Sequence, residues 1–185
     1  MAAKGKALIL DRDGVVNLDK DYVHRIDDFE FIDGIFDLCR DAAAQGYLIF
    51  IITNQSGIGR GYYTEADFHA LTDWMKARFQ EEGVTITQVY FCPYHPVHGI
   101  GKYKQDSHDR KPNPGMILRA AQDYDLDLPN CILVGDRESD MKAAQTAGIG
   151  HKVLYRPEED SDSDVRTRAD YVISDLTTVL ELVTD

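Results

Sequence analysis

The chain has 185 residues, 43% of them hydrophobic and 28% charged, with a formal net charge of −12. That length bounds one domain with a full core. No apolar run nears the roughly 20 residues of a membrane span, and the acidic balance argues against a nucleic-acid partner, which needs a basic face.

The first ten residues, MAAKGKALIL, hold two lysines and a short apolar run. They lack the longer apolar core and cleavage site of a signal peptide, so a cytoplasmic protein is expected. Three widely spaced cysteines (Cys39, Cys92 and Cys131) do not suit a disulfide framework, and Cys39 and Cys131 sit in core-like patterns.

KALIL (6–10) reads as a buried strand that stops at two aspartates, Asp11 and Asp13, with Gly14 next. Residues i and i+2 of a strand share a face. Like charges on one face need a cation, a proton or a polar ligand between them. On this segment alone a turn explains the Asp-Gly pair equally well.

IFDLCRDAAAQ (35–45), closed by Gly46, reads as a helix, and YLIFIIT (47–53) as a strand rich in β-branched residues. Residues 64–79 form an amphipathic pattern with Phe68, Leu71 and Met75 on one stripe, and Thr64 and Asp67 at capping-box spacing. ITQVYFC (86–92) is the third strand, and residues 93–113 form a long loop. PGMILRAAQDYD (114–125) is a helix with Pro in its first turn. CILVG (131–135), SDMKAAQTAG (139–148) and HKVLYR (151–156) give strand, helix, strand. RPEEDSDSDVRTR reads as a solvated loop, before a last strand in DYVIS and a last helix in DLTTVLELV.

This alternation predicts an α/β protein: a three-layer, Rossmann-like parallel sheet with helices on both faces. No linker or repeat divides it, so residues 1–185 are expected to form one domain. Such sheets bind ligands at the carboxyl ends of their strands. Asp11, Asp13, Thr53, Asn54, Arg110, Lys111, Asp136 and Asp140 all fall there. Each alone reads as a cap, a turn or a solvated charge; their coincidence at one edge does not. Convergence of Asp11, Asp13 and Asp136 asks for a hard cation such as Mg²⁺. Lys111 and Thr53 beside it would make a phosphate site. One carboxylate can then attack phosphorus, while Asp13 protonates the leaving oxygen and later activates water.

DRDGVVN, IITNQSG, DRKPNPGM and VGDRESD resemble the four motifs of the haloacid-dehalogenase-like phosphohydrolases, in the form used by the histidinol-phosphatase branch. DYVHRIDDFEFIDG, TNQSGIGRGYYTE and FCPYHP are similar to the D-glycero-D-manno-heptose 1,7-bisphosphate 7-phosphatases of that branch. The resemblance runs from about residue 6 to 156. It implies a Mg²⁺-dependent phosphatase that removes the 7-phosphate through an aspartyl-phosphate, in heptose synthesis for bacterial surface glycans such as lipopolysaccharide.

By position, the resemblance makes Asp11 the nucleophile and Asp13 the general acid/base. Thr53 and Lys111 orient the phosphoryl group. Asp11, Asp136 and the Asp13 carbonyl hold Mg²⁺, with Asp140 acting through water. Substrate contacts fall on Asp19, Lys20, Asp21, Tyr22, Asn54, Gln55, Ser56, Arg110 and Arg137. The two arginines suit the second phosphate, which guanidinium binds bidentately; surface ion pairing is the alternative for Arg137. Arg60 has a suitable charge but no motif.

Neither the interval from Asp11 to Thr53 nor that from Thr53 to Lys111 has room for a cap domain, so the site is expected to be open, with specificity from loops near 17–26, 54–62 and 92–110. The family often carries a structural zinc in the long loop, held by Cys-x-His and Cys-x-Cys pairs. Here these read Cys92-Pro93-Tyr94 and Ser107-His108-Asp109. His95, His98 and His108 offer no fixed tetrahedral set with Cys92. No structural zinc is expected, and packing and hydrogen bonds should hold the loop. The expected partner is a phosphorylated sugar, met by a monomer. The alternatives are a histidinol-phosphate phosphatase and a non-catalytic binding protein on the same fold. Against the latter, buried like charges without a use are costly.

Overall fold

The structure, a computed structural model, describes residues 4–157 and 166–183. The apolar runs become six strands: β1 (Lys6–Asp11), β2 (Tyr47–Asn54), β3 (Gln88–Cys92), β4 (Ile132–Gly135), β5 (His151–Tyr155) and β6 (Tyr171–Ile173). They lie in the order β3-β2-β1-β4-β5-β6, every neighbouring pair parallel. The chain works outward from β1 to β3 and then returns to β1's other side with β4. That reversal opens a crevice at the carboxyl ends of β1 and β4.

Period-two alternation divides the strands between two cores. Leu8, Leu10, Ile49, Ile51, Ile132 and Val134 pack with α1 (Ile35–Ala44), α3 (Glu65–Glu81) and α6 (Val179–Val183). Ala7, Ile9, Phe50, Ile52 and Leu133 pack on the opposite face with α4 (Gly115–Tyr124) and α5 (Glu138–Ala147). Burying both faces of β1 leaves the side chains of residues 7–10 no route to water, which is why ALIL is continuously apolar. The result is the expected three-layer parallel α/β fold. Between β1 and α4 the described residues hold only α1, β2, α2 (Ser56–Gly59), α3, β3, short turns and loops, so no separate cap stands over the carboxyl edge.

The Thr64 box forms as expected: Thr64 Oγ1 accepts from the Asp67 amide at 3.1 Å, and the Asp67 carboxylate accepts from the Thr64 amide at 2.8 Å. Three local readings differ. β3 starts at Gln88, because Thr87 first donates its amide to Ile49 O. Pro114 is the N-cap of α4 and lies outside its first turn. The one-turn α2 has no periodic signal in so short a segment. The expected solvated loop after Arg156 falls largely outside the described residues. No helix among the described residues is long and apolar enough to cross a membrane.

Candidate active site

Asp11 is the last residue of β1, in register with Ile52 of β2, and only 8% exposed. Immediately beyond it the chain turns back: Val16 donates its amide to Arg12 O at 2.8 Å, and Gly14 to Asn17 O at 2.7 Å. Gly14 has φ +91°, and a Cβ there would lie 2.2 Å from Asp136 Oδ2. Glycine therefore does two things in this loop: it takes the left-handed turn, and it lets Asp136 approach β1.

The turn corrects one expectation. The Asp13 carboxylate lies outside the cluster that Asp11 joins, because the strand and its two-residue period end at Asp11. The Asp13 carboxylate instead accepts from Arg12 Nη2 at 2.9 Å, Asn17 Nδ2 at 3.1 Å and Gln55 Nε2 at 3.2 Å. The carboxylates that converge are Asp11, Asp136 and Asp140, with oxygens within 4.8 Å of one another. Asp140, expected to act at one remove, is 1% exposed and lies directly in this group. It sits in the first turn of α5, where its Oδ2 accepts from the Arg137 amide at 3.1 Å.

Lys111, 4% exposed, points its ammonium into the cluster, 2.8 Å from Asp11 Oδ1 and 2.7 Å from Asp140 Oδ1. Its third proton has Ile52 O at 3.3 Å. Asn54 fixes the Lys111 backbone from both sides: Nδ2 donates to Lys111 O and Oδ1 accepts from the Lys111 amide, each at 3.0 Å. Thr53, the preceding residue, is buried, and its hydroxyl accepts from Gln55 Nε2 at 2.8 Å.

Three carboxylates surround one ammonium, so the site is short of positive charge. Burial, then repulsion from Asp140 and Asp136, holds the Asp11 carboxyl well above the ordinary range despite Lys111. Burial and Asp140 push Asp136 up to about 6. Burial alone would lower Lys111, but Asp11 and Asp140 together carry it above its usual value. Asp136 Oδ1 is buried without a hydrogen-bond partner. Surplus negative charge, an all-oxygen donor set and an orphaned carboxylate oxygen fit a hard divalent cation.

The electrostatics predict a stability effect. A carboxyl whose folded value is raised contributes stability fully present below its unfolded value near 3.8, and lost as pH rises through about 6. At pH 7.5 the ionised Asp136 therefore weakens the metal-free fold. Asp136→Asn is expected to raise its stability by on the order of 2 kcal/mol, or roughly 5 °C in Tm. Melting curves in EDTA should show the advantage at pH 7.5 and its shrinkage at pH 5. A lower Tm than the parent at pH 7.5 would contradict it.

A cavity of about 270 Å³ opens above the cluster. Asp11, Asp13, Lys111 and Asp140 line it, together with Asp19, Asp21, Tyr22, Asn54, Gln55, Ser56, Arg110 and Arg137 from the expected set. Lys20 does not; it pairs with Glu30 at 2.9 Å. Asp21 and Tyr22 take left-handed backbone angles, φ 56° and 55°, an uncommon state for residues with side chains. Tyr22 stands edge-on to Tyr62, with ring centroids 4.9 Å apart. Arg137 donates to Asp19 at 2.7 Å and lies 3.7 Å from Asp136. Among the described residues the Arg110 side chain donates one hydrogen bond, to the Tyr94 carbonyl at 3.4 Å, and neither it nor Arg60 has an ion pair. Burial and the nearby Arg60 lower Arg110 from its usual value.

Arg60, considered for its charge alone, also lines the cavity, as do Tyr63 and Ser139, which were not among the expected site residues. Ser139 follows the N-cap of α5 by two residues, beside Asp140. Tyr63 precedes the Thr64 N-cap and packs with Phe68, four residues after that cap. This is hydrophobic-staple spacing, legible in principle. In the long loop, Cys92 is buried. His95 Nδ1 accepts from the amides of Val97 and His98, and Asp109 pairs with Arg119 at 2.6 Å.

A parallel sheet whose switch point joins an Asp-x-Asp-Gly turn, a buried lysine and a second acidic pair defines the class: a haloacid-dehalogenase-like phosphohydrolase. A family model described as HAD-hydrolase-like matches residues 108–179. A D-glycero-alpha-D-manno-heptose-1,7-bisphosphate 7-phosphatase of Burkholderia mallei is 54% identical over 98% of this chain and 95% of its own length. A D-glycero-beta-D-manno-heptose-1,7-bisphosphate 7-phosphatase of Escherichia coli K12 is 42% identical over 95% of this chain and 92% of its own. The crystal structure of a D,D-heptose 1,7-bisphosphate phosphatase from B. bronchiseptica, complexed with magnesium and phosphate, superposes with a TM-score of 0.84. It is 30% identical over 97% of this chain and 98% of that one. The chain belongs to the D-glycero-D-manno-heptose-1,7-bisphosphate 7-phosphatase family and is a phosphoric monoester hydrolase.

Proposed function

We propose that the enzyme removes the 7-phosphate of D-glycero-D-manno-heptose 1,7-bisphosphate through an aspartyl-phosphate on Asp11, in heptose supply for bacterial surface glycans. The observation that carries this reading is the pairing of Asp11 with Lys111 at 2.8 Å on the cavity wall, with Asp13 tied into a separate set of hydrogen bonds. Two carboxylates with different surroundings suit two different tasks.

Asp11, Asp136, Asp140 and the Asp13 carbonyl would hold Mg²⁺, which would neutralise the charge that otherwise keeps an anionic carboxylate from an anionic phosphate. Lys111 and Thr53 hold non-bridging phosphoryl oxygens. Asp11 attacks phosphorus, and the bond to the sugar oxygen breaks as Asp13 delivers its proton to that oxygen. The ionised Asp13 then takes a proton from water, which attacks the same phosphorus; phosphate leaves and the Asp11 carboxylate is restored.

Arg110, with Arg60 beside it, meets the second phosphate, and Arg137 closes over Asp19 at the rim. Asp19, Lys20, Asp21, Tyr22, Asn54, Gln55 and Ser56 surround the sugar, directly or by shaping the loops that do. Residues 1–185 act as one domain. The site is complete within one chain, so a monomer in the cytoplasm suffices.

The test is phosphate release from both anomers of the heptose bisphosphate and from histidinol phosphate, with Mg²⁺ and with EDTA. A large kcat/KM preference for one bisphosphate anomer, abolished by EDTA, is expected. A preference for histidinol phosphate would overturn the substrate. A charge-assisted hydrogen bond contributes roughly 1.5–3 kcal/mol. Arg110→Gln is therefore expected to lower kcat/KM on the bisphosphate by roughly 10- to 100-fold, and at least several-fold less on heptose 7-phosphate, which lacks the second phosphate. Equal losses on both would remove Arg110 from that role.

A further inference from the structure

Gln55, at 2% exposure, has almost nothing left to offer a substrate. Its backbone amide donates to Cys92 O at 2.8 Å. The two protons of its side-chain amide go to Thr53 Oγ1 at 2.8 Å and Asp13 Oδ2 at 3.2 Å. Its carbonyl Oε1 accepts from the Tyr63 hydroxyl. The Asp13 carboxylate can only accept, so it takes the Nε2 side of the amide, and the Tyr63 hydroxyl, donating to Oε1, holds the other side in place. Were the amide reversed, Asp13 would meet a carbonyl oxygen, which cannot donate.

Tyr63 is itself held from three sides. It is the residue before the α3 N-cap and packs against Phe68 and Ile58. The His24 ring stacks on it with centroids 4.7 Å apart and planes 2° apart. Gly57 leaves the space it needs: a Cβ there would lie 2.2 Å from Tyr63 Cε1. Burial pushes the hydroxyl up to about 12, so it remains a donor at working pH.

We propose that Tyr63 and Gln55 are positioning residues for the reaction. Tyr63 orients the Gln55 amide, and that amide sets the Asp13 carboxyl in the place from which it protonates the leaving sugar oxygen. Arg12 and Asn17 hold Asp13 Oδ1, so Oδ2 is left to Gln55 alone among the described hydrogen bonds. This rests on the reading of Asp13 as general acid.

The test uses leaving-group dependence. A sugar alkoxide leaves poorly without a proton; p-nitrophenolate leaves without one. The ratio kcat/KM reports the phosphoryl-transfer step with each substrate. Tyr63→Phe is expected to lower kcat/KM on the heptose bisphosphate by about 10-fold or more, a part of the usual worth of general acid catalysis, and to change that on p-nitrophenyl phosphate by less than about 3-fold. Gly57→Ala, whose Cβ would overlap the same ring, should give the same signature. Asp13→Asn run in parallel should give it more strongly. Equal losses on both substrates with Tyr63→Phe, the mark of a merely structural role, would overturn the proposal, as would no loss on either. Should Asp13→Asn itself lower both substrates equally, the reading of Asp13 as general acid falls, and the positioning role falls with it.

Discussion

Asp11→Asn is expected to lower kcat by about 10⁴-fold or more, since it removes a nucleophile for which the site holds no substitute. The amide keeps the carboxylate's shape but cannot form the acyl-phosphate bond. Asp13 cannot take over: its carboxylate is tied to Arg12, Asn17 and Gln55 and lies outside the cluster. The fold should survive, because Lys111 keeps Asp140 at 2.7 Å and one of three crowded carboxylates is neutralised. Steady-state kinetics at saturating substrate, with a melting curve on the same preparation, check both halves. Activity near that of the parent would exclude Asp11 as nucleophile.

Lys111→Met carries the largest expected cost to stability. Lys111 is almost fully buried and is the ammonium shared by Asp11 and Asp140. Removing one partner of a buried ionic group leaves the others uncompensated, at a cost of about 3–5 kcal/mol. In EDTA at pH 7.5 the variant is therefore expected to unfold at clearly lower denaturant than the parent. The deficit should narrow toward pH 5, because the raised values of Asp11 and Asp136 let both take up protons there. Mg²⁺ should stabilise the variant more than the parent while turnover stays lost, since no ammonium remains to hold the phosphoryl oxygens. A denaturation midpoint equal to the parent's would contradict the role of Lys111 as counter-charge.

Much of this arrangement is legible in the chain. The runs KALIL, YLIFIIT and CILVG can only be strands buried on both faces, and the parallel order they require brings Asp11, Thr53, Lys111 and Asp136 to one edge. The family motifs then sort those residues by task. What the chain does not show is where a period stops. Asp11 and Asp13 look like one carboxylate pair until β1 is seen to end at Asp11 and Asp13 to join Arg12, Asn17 and Gln55. The same limit left Asp140 at one remove from the metal, because its place in the carboxylate cluster depends on how close α5 comes to β4: a Cβ on Gly135 would lie 2.3 Å from the Asp140 Cβ.

Pairings between distant segments were also out of reach. Arg137 meets Asp19 across 118 residues, and Asn54 clamps the Lys111 backbone across 57. Neither has a local signature, so Arg137 reads as a phosphate ligand or a surface ion pair with no named partner, and Asn54 as a substrate contact. Tyr63 is the opposite case. Its spacing to Phe68 was readable, but its function depends on a partner, Gln55, whose side chain had been given to the sugar.

The most direct test of the mechanism is acid quenching of a single turnover with heptose bisphosphate carrying ³²P at the 7-position. Radiolabel on the peptide containing Asp11, released by hydroxylamine and absent from Asp11→Asn, is the predicted result. Rapid release of labelled phosphate with no label on the protein at any time point would contradict an aspartyl-phosphate on Asp11.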